Sequence, residues 1–238
     1  MRTIVHGAMT AASTLLLLTT LTACSQLLGS GELAMEERPI VNRQGLEVPF
    51  DGILLRDEIF VRVTIDPAVQ TPSMTVFADD NAIDRVFTVV DEQAGVRSLV
   101  IRERPRFRNV APTIVDITTS DMEYISATFD GRAEVTGIDR DEFRAAADTR
   151  SRLVLSGTCA SSLLIAIDST TTLDAAGLSC PVGDFTAMRG ALVIGTATDT
   201  AILAGSGRGR IEVLGSPTTC DRSGLVENRT EVTGCPSD

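Results

Sequence analysis

The chain has 238 residues, a formal net charge of −11, and 43% hydrophobic residues, with aromatic residues making up only 4% of the chain. Its 21 basic residues are all arginine, and 32 acidic residues outnumber them. We therefore do not expect the chain to bind nucleic acid, which requires a cationic surface. The single histidine, His6, lies in a segment expected to be removed. The mature chain is therefore not expected to use a histidine-dependent catalytic triad or a histidine-ligated metal site, and no cofactor is expected.

Residues 1–23 have the plan of a secretory signal peptide, with an early positive charge at Arg2, an apolar run over Leu15–Leu18, and no acidic residue. The segment ends in Leu21-Thr22-Ala23-Cys24, which resembles the lipobox of bacterial lipoproteins. That resemblance implies cleavage before Cys24 and acylation of this cysteine by lipids such as palmitate. The alternative is an ordinary signal peptide followed by a chance cysteine.

Residues 24–45 are polar, contain Gly29, Gly31 and Pro39, and show no periodicity, which favours a flexible tether after the lipidated cysteine. An acylated chain would take the membrane as a partner through its anchor, because several acyl chains hold a protein stably at a bilayer. The expected location is the bacterial cell envelope, at the outer membrane, the cell surface or the periplasm.

Short alternating segments follow the tether and end at turn residues, as is typical of strands in an all-β fold. They are Ile59–Ile65, Met74–Phe77, Val86–Val90 and Leu99–Ile101.

Arginines then alternate at positions 102, 104, 106 and 108, and a strand would bring Arg102, Arg104, Arg106 and Arg108 to one face. Guanidinium groups in such a row could bind a phosphate or an acidic polysaccharide. The competing interpretation is a charged edge that blocks strand pairing, since Pro105 interrupts the segment.

A repeat dominates the second half of the chain. The five-residue pattern apolar-x-apolar-x-Gly begins at Ala133, Leu153, Leu173, Leu192 and Ile211, at steps of about 20 residues. A second ladder of apolar segments lies between these and alternates with polar corners. We therefore predict an all-β fold, a right-handed parallel β-helix or solenoid over residues 46–217 with short N-terminal strands. The first and third residues of each pattern should point inward, and the glycines should form a column at one corner.

Four cysteines remain once Cys24 is set aside, and an even count in an exported protein favours two disulfides. Cys159 and Cys180 lie about one repeat apart, while Cys220 and Cys235 close a short loop in the tail at 218–238. The pairings 159–180 and 220–235 are favoured over the two alternatives. A metal site is disfavoured, because no Cys-x-x-Cys is present.

The chain also resembles a known family. Phe50-Asp51-Gly52-Ile53, the later Phe129-Asp130-Gly131, and Gly205-Ser206-Gly207 followed by Ile211–Pro217 are similar in order to the putative auto-transporter adhesin, head GIN domain family. The resemblance implies an exported, often lipid-anchored protein with a β-helical head. It offers no catalytic residue.

We therefore expect a lipid-anchored envelope protein, without catalytic activity, whose β-helical surface binds a glycan or an envelope protein. One alternative is a polysaccharide-processing enzyme that uses carboxylates and arginine, with Asp168, Asp174, Asp139 and Asp141 as candidates. Aspartates at corners more often cap turns, however. The other alternative is a purely structural envelope protein.

Overall fold

The computed structural model describes residues 32–93, 95–104, 111–226 and 229–236. Fifteen strands and one short 3₁₀ turn, Ile83–Arg85, make up this part of the chain. The strands are β1 (Leu33–Arg38), β2 (Gly52–Arg56), β3 (Ile59–Ile65), β4 (Ser73–Asp79), β5 (Val86–Gln93), β6 (Val96–Glu103), β7 (Thr113–Thr119), β8 (Tyr124–Thr128), β9 (Arg132–Asp148), β10 (Arg152–Ile167), β11 (Thr172–Met188), β12 (Leu192–Ser206), β13 (Arg210–Leu214), β14 (Thr219–Leu225) and β15 (Glu231–Thr233).

The strands build a β-solenoid with two faces, which confirms the predicted all-β fold. Strands β9 to β12 each run through a corner, so the first half of each strand pairs on one face and the second half on the other. The first face has the order β1-β4-β7-β3-β9-β10-β11-β12-β13-β15. The second face has the order β5-β6-β2-β8-β9-β10-β11-β12-β14. The core is the layer of inward side chains between the two faces.

The register follows the predicted repeat in four of the five coils. Leu153 pairs with Ala133 on one side and with Leu173 on the other, and all three are buried. The prediction for the fourth coil is wrong by one residue, because Val193 rather than Leu192 lies opposite Leu173 and enters the core. Residues 192–194 are all apolar, so their alternation cannot select which of them points inward.

The shift in the fourth coil places a glycine in the core. Gly195 lies opposite Ala175, and a Cβ atom at Gly195 would lie only 2.4 Å from Cε1 of Phe185. The phenyl ring comes from the second face and occupies the space that larger residues fill in other coils. Small residues at 175 and 195 therefore accommodate one large side chain across the core.

The predicted glycine column at the first corner is confirmed only in part, because Gly177 has no positive φ and the register places Ile138 opposite Gly157 and Ser156 opposite Gly177. Gly137 and Gly157 have φ of +79° and +140°, in the range that side-chain-bearing residues rarely adopt. A Cβ atom would also lie 2.2 Å from the carbonyl oxygen of Ile65 at Gly137, and 2.1 Å from that of Ile138 at Gly157. At this corner, successive coils approach each other so closely that a Cβ atom would not fit at Gly137 or Gly157.

The two ends of the stack are built differently. At the N-terminal end, β1 pairs antiparallel with β4, and β5 pairs antiparallel with β6. β1 lies within the segment for which the composition predicts a flexible tether. At the other end, β14 and β15 extend the two faces into the segment after residue 217. Antiparallel strands thus close one end, and two short parallel strands close the other.

Candidate functional site

Three of the residues singled out in the sequence, Cys24, Arg106 and Arg108, lie outside the described residues. The lipid anchor and the second half of the arginine row therefore stay predictions. The remaining candidates lie in the solenoid, at several separate places.

The four other cysteines form the two disulfides favoured by the sequence. Cys159 and Cys180 join neighbouring strands β10 and β11, with a Cα–Cα distance of 4.8 Å. Cys220 and Cys235 join β14 to the segment after β15, with a Cα–Cα distance of 6.1 Å. One bridge therefore crosslinks two coils in the middle of the stack, and the other closes the last coil.

Arg102 lies on the outer surface of the second face, near the end of β6. Its guanidinium carbon is 4.7 Å from the centre of the Phe87 ring on β5, a cation–π contact. β6 ends at Glu103, so Arg104 follows the strand, where its amide donates to the carbonyl of Arg85. The structure thus joins Arg102 to an aromatic ring, a partnership that the alternation of arginines does not reveal.

A shallow cavity of about 370 Å³ surrounds this contact on β5, β6 and β2. Apolar residues form part of its lining, and arginines and polar side chains form the rest. The lining residues are Arg43, Leu54, Arg56, Phe87, Val89, Asp91, Gln93, Ser98, Val100 and Arg102. A surface that offers an aromatic ring, guanidinium groups and amide or carboxylate acceptors suits a sugar ring that carries an acidic group.

Two interactions hold the walls of the cavity. Arg43 donates to Asp91 at 2.7 Å, which ties the segment before β2 to β5. Ser98 hydrogen-bonds the hydroxyl of Tyr124 on β8, and burial raises the pKa of that phenol. The hydroxyl is therefore neutral at physiological pH and can act as donor or acceptor.

Asp51 fixes the entry to β2. Its carboxylate accepts hydrogen bonds from the backbone amide of Arg97 at 2.9 Å and from the Arg97 guanidinium at 2.8 Å. The guanidinium hydrogen bond holds the pKa of Asp51 below its ordinary value, so the carboxylate stays charged in mildly acidic conditions. The aspartate of the Phe50–Ile53 segment thus clamps β2 against β6.

Of the four aspartates considered for catalysis, Asp139 and Asp141 line one shallow cavity, whereas Asp168 and Asp174 lie elsewhere. Asp168 accepts from the amide of Ser169 at 3.1 Å, and Asp174 accepts from the amide of Ala176 at 3.2 Å, so both cap turns. Asp139 accepts from the hydroxyl of Thr158, and the carbonyl of Asp141 accepts from the hydroxyl of Ser161. The contacts of Asp168 and Asp174 support the turn-capping interpretation, whereas those of Asp139 and the Asp141 backbone join neighbouring coils.

Within the described ranges, no group of three or more histidine, cysteine, aspartate or glutamate side chains is placed to hold a metal ion. No helix in these same ranges has the length and apolarity needed to cross a membrane.

Comparison with known proteins places the described solenoid among adhesin-like structures. The family model of the putative auto-transporter adhesin, head GIN domain, matches residues 49–217. The crystal structure of a putative adhesin from Bacteroides fragilis aligns with 87% of this chain and 97% of its own, with a TM-score of 0.62 and 15% identity. At this identity the likeness shows a shared fold.

Other solved structures align over a similar extent with lower TM-scores. A putative adhesin from Parabacteroides merdae covers 86% of this chain and 96% of its own, at 12% identity and a TM-score of 0.48. A putative lipid binding protein from Parabacteroides distasonis covers 84% and 98%, at 14% identity and a TM-score of 0.47. No curated protein matches the chain significantly.

Proposed function

Because the chain belongs to the putative auto-transporter adhesin, head GIN domain family, we propose that it is a lipid-anchored envelope protein that binds a glycan through the cavity around Phe87 and Arg102. Family membership and two disulfides indicate an extracellular or envelope protein, since disulfides persist in oxidising compartments. Cys24 would carry the anchor.

The observation that carries the proposal is the pairing of Arg102 with Phe87 over an apolar floor. The ring and the guanidinium lie on hydrogen-bonded strands, so the ligand would meet a surface that needs little ordering on binding. Arg56 on β2 also lines the cavity and would supply a second charged donor. An acidic sugar would stack on the aromatic and apolar surface, with its carboxylate directed toward the arginines.

The anchor is tested by expressing the full chain and its Cys24→Ala variant in a bacterial host and separating membranes from soluble fractions. The wild-type chain should be membrane-bound and incorporate labelled palmitate, whereas the variant should lose the label. Equal labelling of both chains would contradict the assignment of Cys24.

The cavity is tested by glycan-array and calorimetric binding with the mature chain carrying Cys24→Ser to keep it soluble. Arg102→Gln should weaken the binding of acidic glycans at least tenfold, while Arg62→Gln on the first face should leave it unchanged. Arg62 is a suitable control because it is exposed and paired with Asp116 at 2.6 Å, away from the cavity. Absence of binding to every glycan and envelope fraction would favour a structural role.

A further inference from the structure

The corners that lead from the second face back to the first carry an unusual concentration of arginines. Five successive corners occupy residues 128–132, 148–152, 168–172, 188–192 and 206–210. Six exposed arginines lie within them, and we call this surface the arginine edge. They are Arg132, Arg150, Arg152, Arg189, Arg208 and Arg210.

Most arginines of the second half of the chain lie on this edge. Between residues 129 and 217 the chain has eight arginines, and six of them lie on the arginine edge. The other two, Arg140 and Arg144, follow the opposite corner and are paired with acidic side chains, Arg140 with Glu123 at 3.1 Å and Arg144 with Glu142 at 2.7 Å. The corners of the arginine edge also carry Asp130, Asp148 and Asp168, so six arginines against three aspartates leave this edge with a net positive charge in an acidic chain.

Most of the arginine edge is available to a ligand. Arg150 is held by Asp130 at 2.5 Å, and Arg210 lies 3.9 Å from Glu231. The other four side chains make no hydrogen bond or salt bridge within the described ranges: Arg132, Arg152, Arg189 and Arg208. Four exposed guanidinium groups therefore keep their donors for solvent or for a partner.

The backbone at these corners is left-handed at several positions. Arg150, Arg189 and Arg208 have φ of +63°, +55° and +70°, in the left-handed region that non-glycine residues seldom adopt. Glycine would be the ordinary choice for such corners, and Gly190 and Gly207 stand next to two of these arginines. Four other non-glycine residues at the same corners also have positive φ, so the left-handed backbone is a property of these corners and is not specific to arginine.

We propose that the arginine edge binds a linear polyanionic glycan, such as a polyuronate or a sulfated polysaccharide, lying along the axis of the stack. Neighbouring strands are about 4.8 Å apart, so charges on successive corners form a track parallel to the axis. Arg132, Arg152 and Arg210 occupy one row of the first face, with Thr172 and Leu192 between the second and third. The row spans four strand spacings, or about 19 Å. Guanidinium groups bind carboxylates and sulfates in a bidentate manner, which suits a repeating acidic chain.

A second copy of this chain is the competing partner, since the opposite edge is acidic. Those acidic residues are concentrated in the first coils, at Asp121, Glu123, Asp139 and Asp141, and Arg140 already contacts two of them. The arginines extend instead to the last coils, at Arg189 and Arg208. The two edges therefore do not match along their length, and the arrangement favours an extended polyanion.

This site is separate from the cavity near Arg102, so either can fail without the other. The test measures binding of polygalacturonate oligomers and of a sulfated heparin oligosaccharide to the mature Cys24→Ser chain, at about 50 and 300 mM salt. Both anions should bind, more weakly at high salt, and a neutral maltooligosaccharide should not. Failure of both anions to bind would overturn the proposal.

Arg189→Gly together with Arg208→Gly removes two charges while suiting the left-handed backbone, so the fold should be retained. Both proposed sites take acidic glycans, so this change is made in the Arg102→Gln background, where it should weaken binding of the anions at least tenfold relative to Arg102→Gln alone. Arg62→Gln with Arg144→Gln removes the same charge elsewhere and, in the same background, should bind as Arg102→Gln alone does. Equal loss in the control, or unchanged binding after the glycine substitutions, would overturn the assignment. Self-association in sedimentation that the glycine variant abolishes would also overturn it, in favour of an interface between copies.

Discussion

Replacing Gly195 by alanine tests how tightly the two faces of the solenoid are packed. An ideal Cβ at residue 195 would lie 2.4, 2.5 and 2.9 Å from Cε1, Cζ and Cδ1 of Phe185. Carbon atoms in favourable contact lie about 3.5–4.0 Å apart, so the ring must move by roughly 1 Å or more. Both residues are buried, and a single methyl group in such a core costs about 1–3 kcal/mol of the free energy of unfolding.

Urea unfolding followed by circular dichroism gives the free energy, and thermal unfolding should show a midpoint lowered by about 2–12 °C. Gly177→Ala is the milder control, because Gly177 is exposed and its nearest neighbour atom would be 3.0 Å away. Phe185→Leu removes the ring atoms in conflict, so the double variant should be more stable than the sum of the single effects by about 1 kcal/mol. A Gly195→Ala chain as stable as the wild type would refute this account of the core.

Three further predictions concern crosslinks and carboxylates. Changing Cys159 and Cys180 together to serine opens a 21-residue loop and should lower the free energy of unfolding by about 3 kcal/mol, measured by urea denaturation under non-reducing conditions. Burial raises the pKa of Asp184 above that of an exposed aspartate. The protonated carboxyl therefore stabilises the fold fully when the pH is below the ordinary aspartate pKa, and this stabilisation is lost as the pH rises through the raised pKa. Asp184→Asn should therefore raise the melting temperature at pH 7 modestly. As the pH is lowered, the melting temperature of the variant should increase less than that of the wild type. A lower melting temperature for the variant at pH 7 would contradict this. Arg97→Gln should return the lowered pKa of Asp51 toward its ordinary value, as followed by carboxyl NMR chemical shifts, and an unchanged titration would show that the guanidinium is not the cause.

The repeat predicts the solenoid because apolar residues that must be buried recur about every 20 residues, once in each coil. Alternation identifies the inward residues wherever a polar residue separates them, as at Ala133 and Val135, which flank the exposed Glu134. It fails at Leu192-Val193-Ile194, where every residue is apolar and the neighbouring coil decides the register. The disulfides follow from the same period, because Cys159 and Cys180 lie about one coil apart.

The N-terminal end depends on pairing between distant segments, which local patterns do not encode. β3 lies between β7 and β9, although about fifty residues separate β3 from β7 along the chain. β1 is too polar to stand out, with the sequence Leu33-Ala-Met-Glu-Glu-Arg38, and it becomes a strand because β4 offers an edge.

The two surfaces proposed to bind glycans depend on contacts that local sequence patterns do not encode. Arg102 is part of a conspicuous local row, but its contact with Phe87 depends on the pairing of β5 with β6. The members of the arginine edge are about one or two coils apart in sequence. Only the alignment of corners brings Arg150, Arg189 and Arg208 to one side of the molecule.

The packing of Phe185 bears on how such a chain can change in length during evolution. Its ring covers Gly183 in its own strand and Gly195 in the next coil, so two successive coils share one volume of core. A duplication of the Phe185 coil alone would place a second Ala175, with its methyl group, against the first ring in the position of Gly195. A deletion of the following coil would bring Val213 of β13 against the ring. Growth and loss of coils in this segment are therefore expected in pairs, whereas single insertions should be confined to the corners.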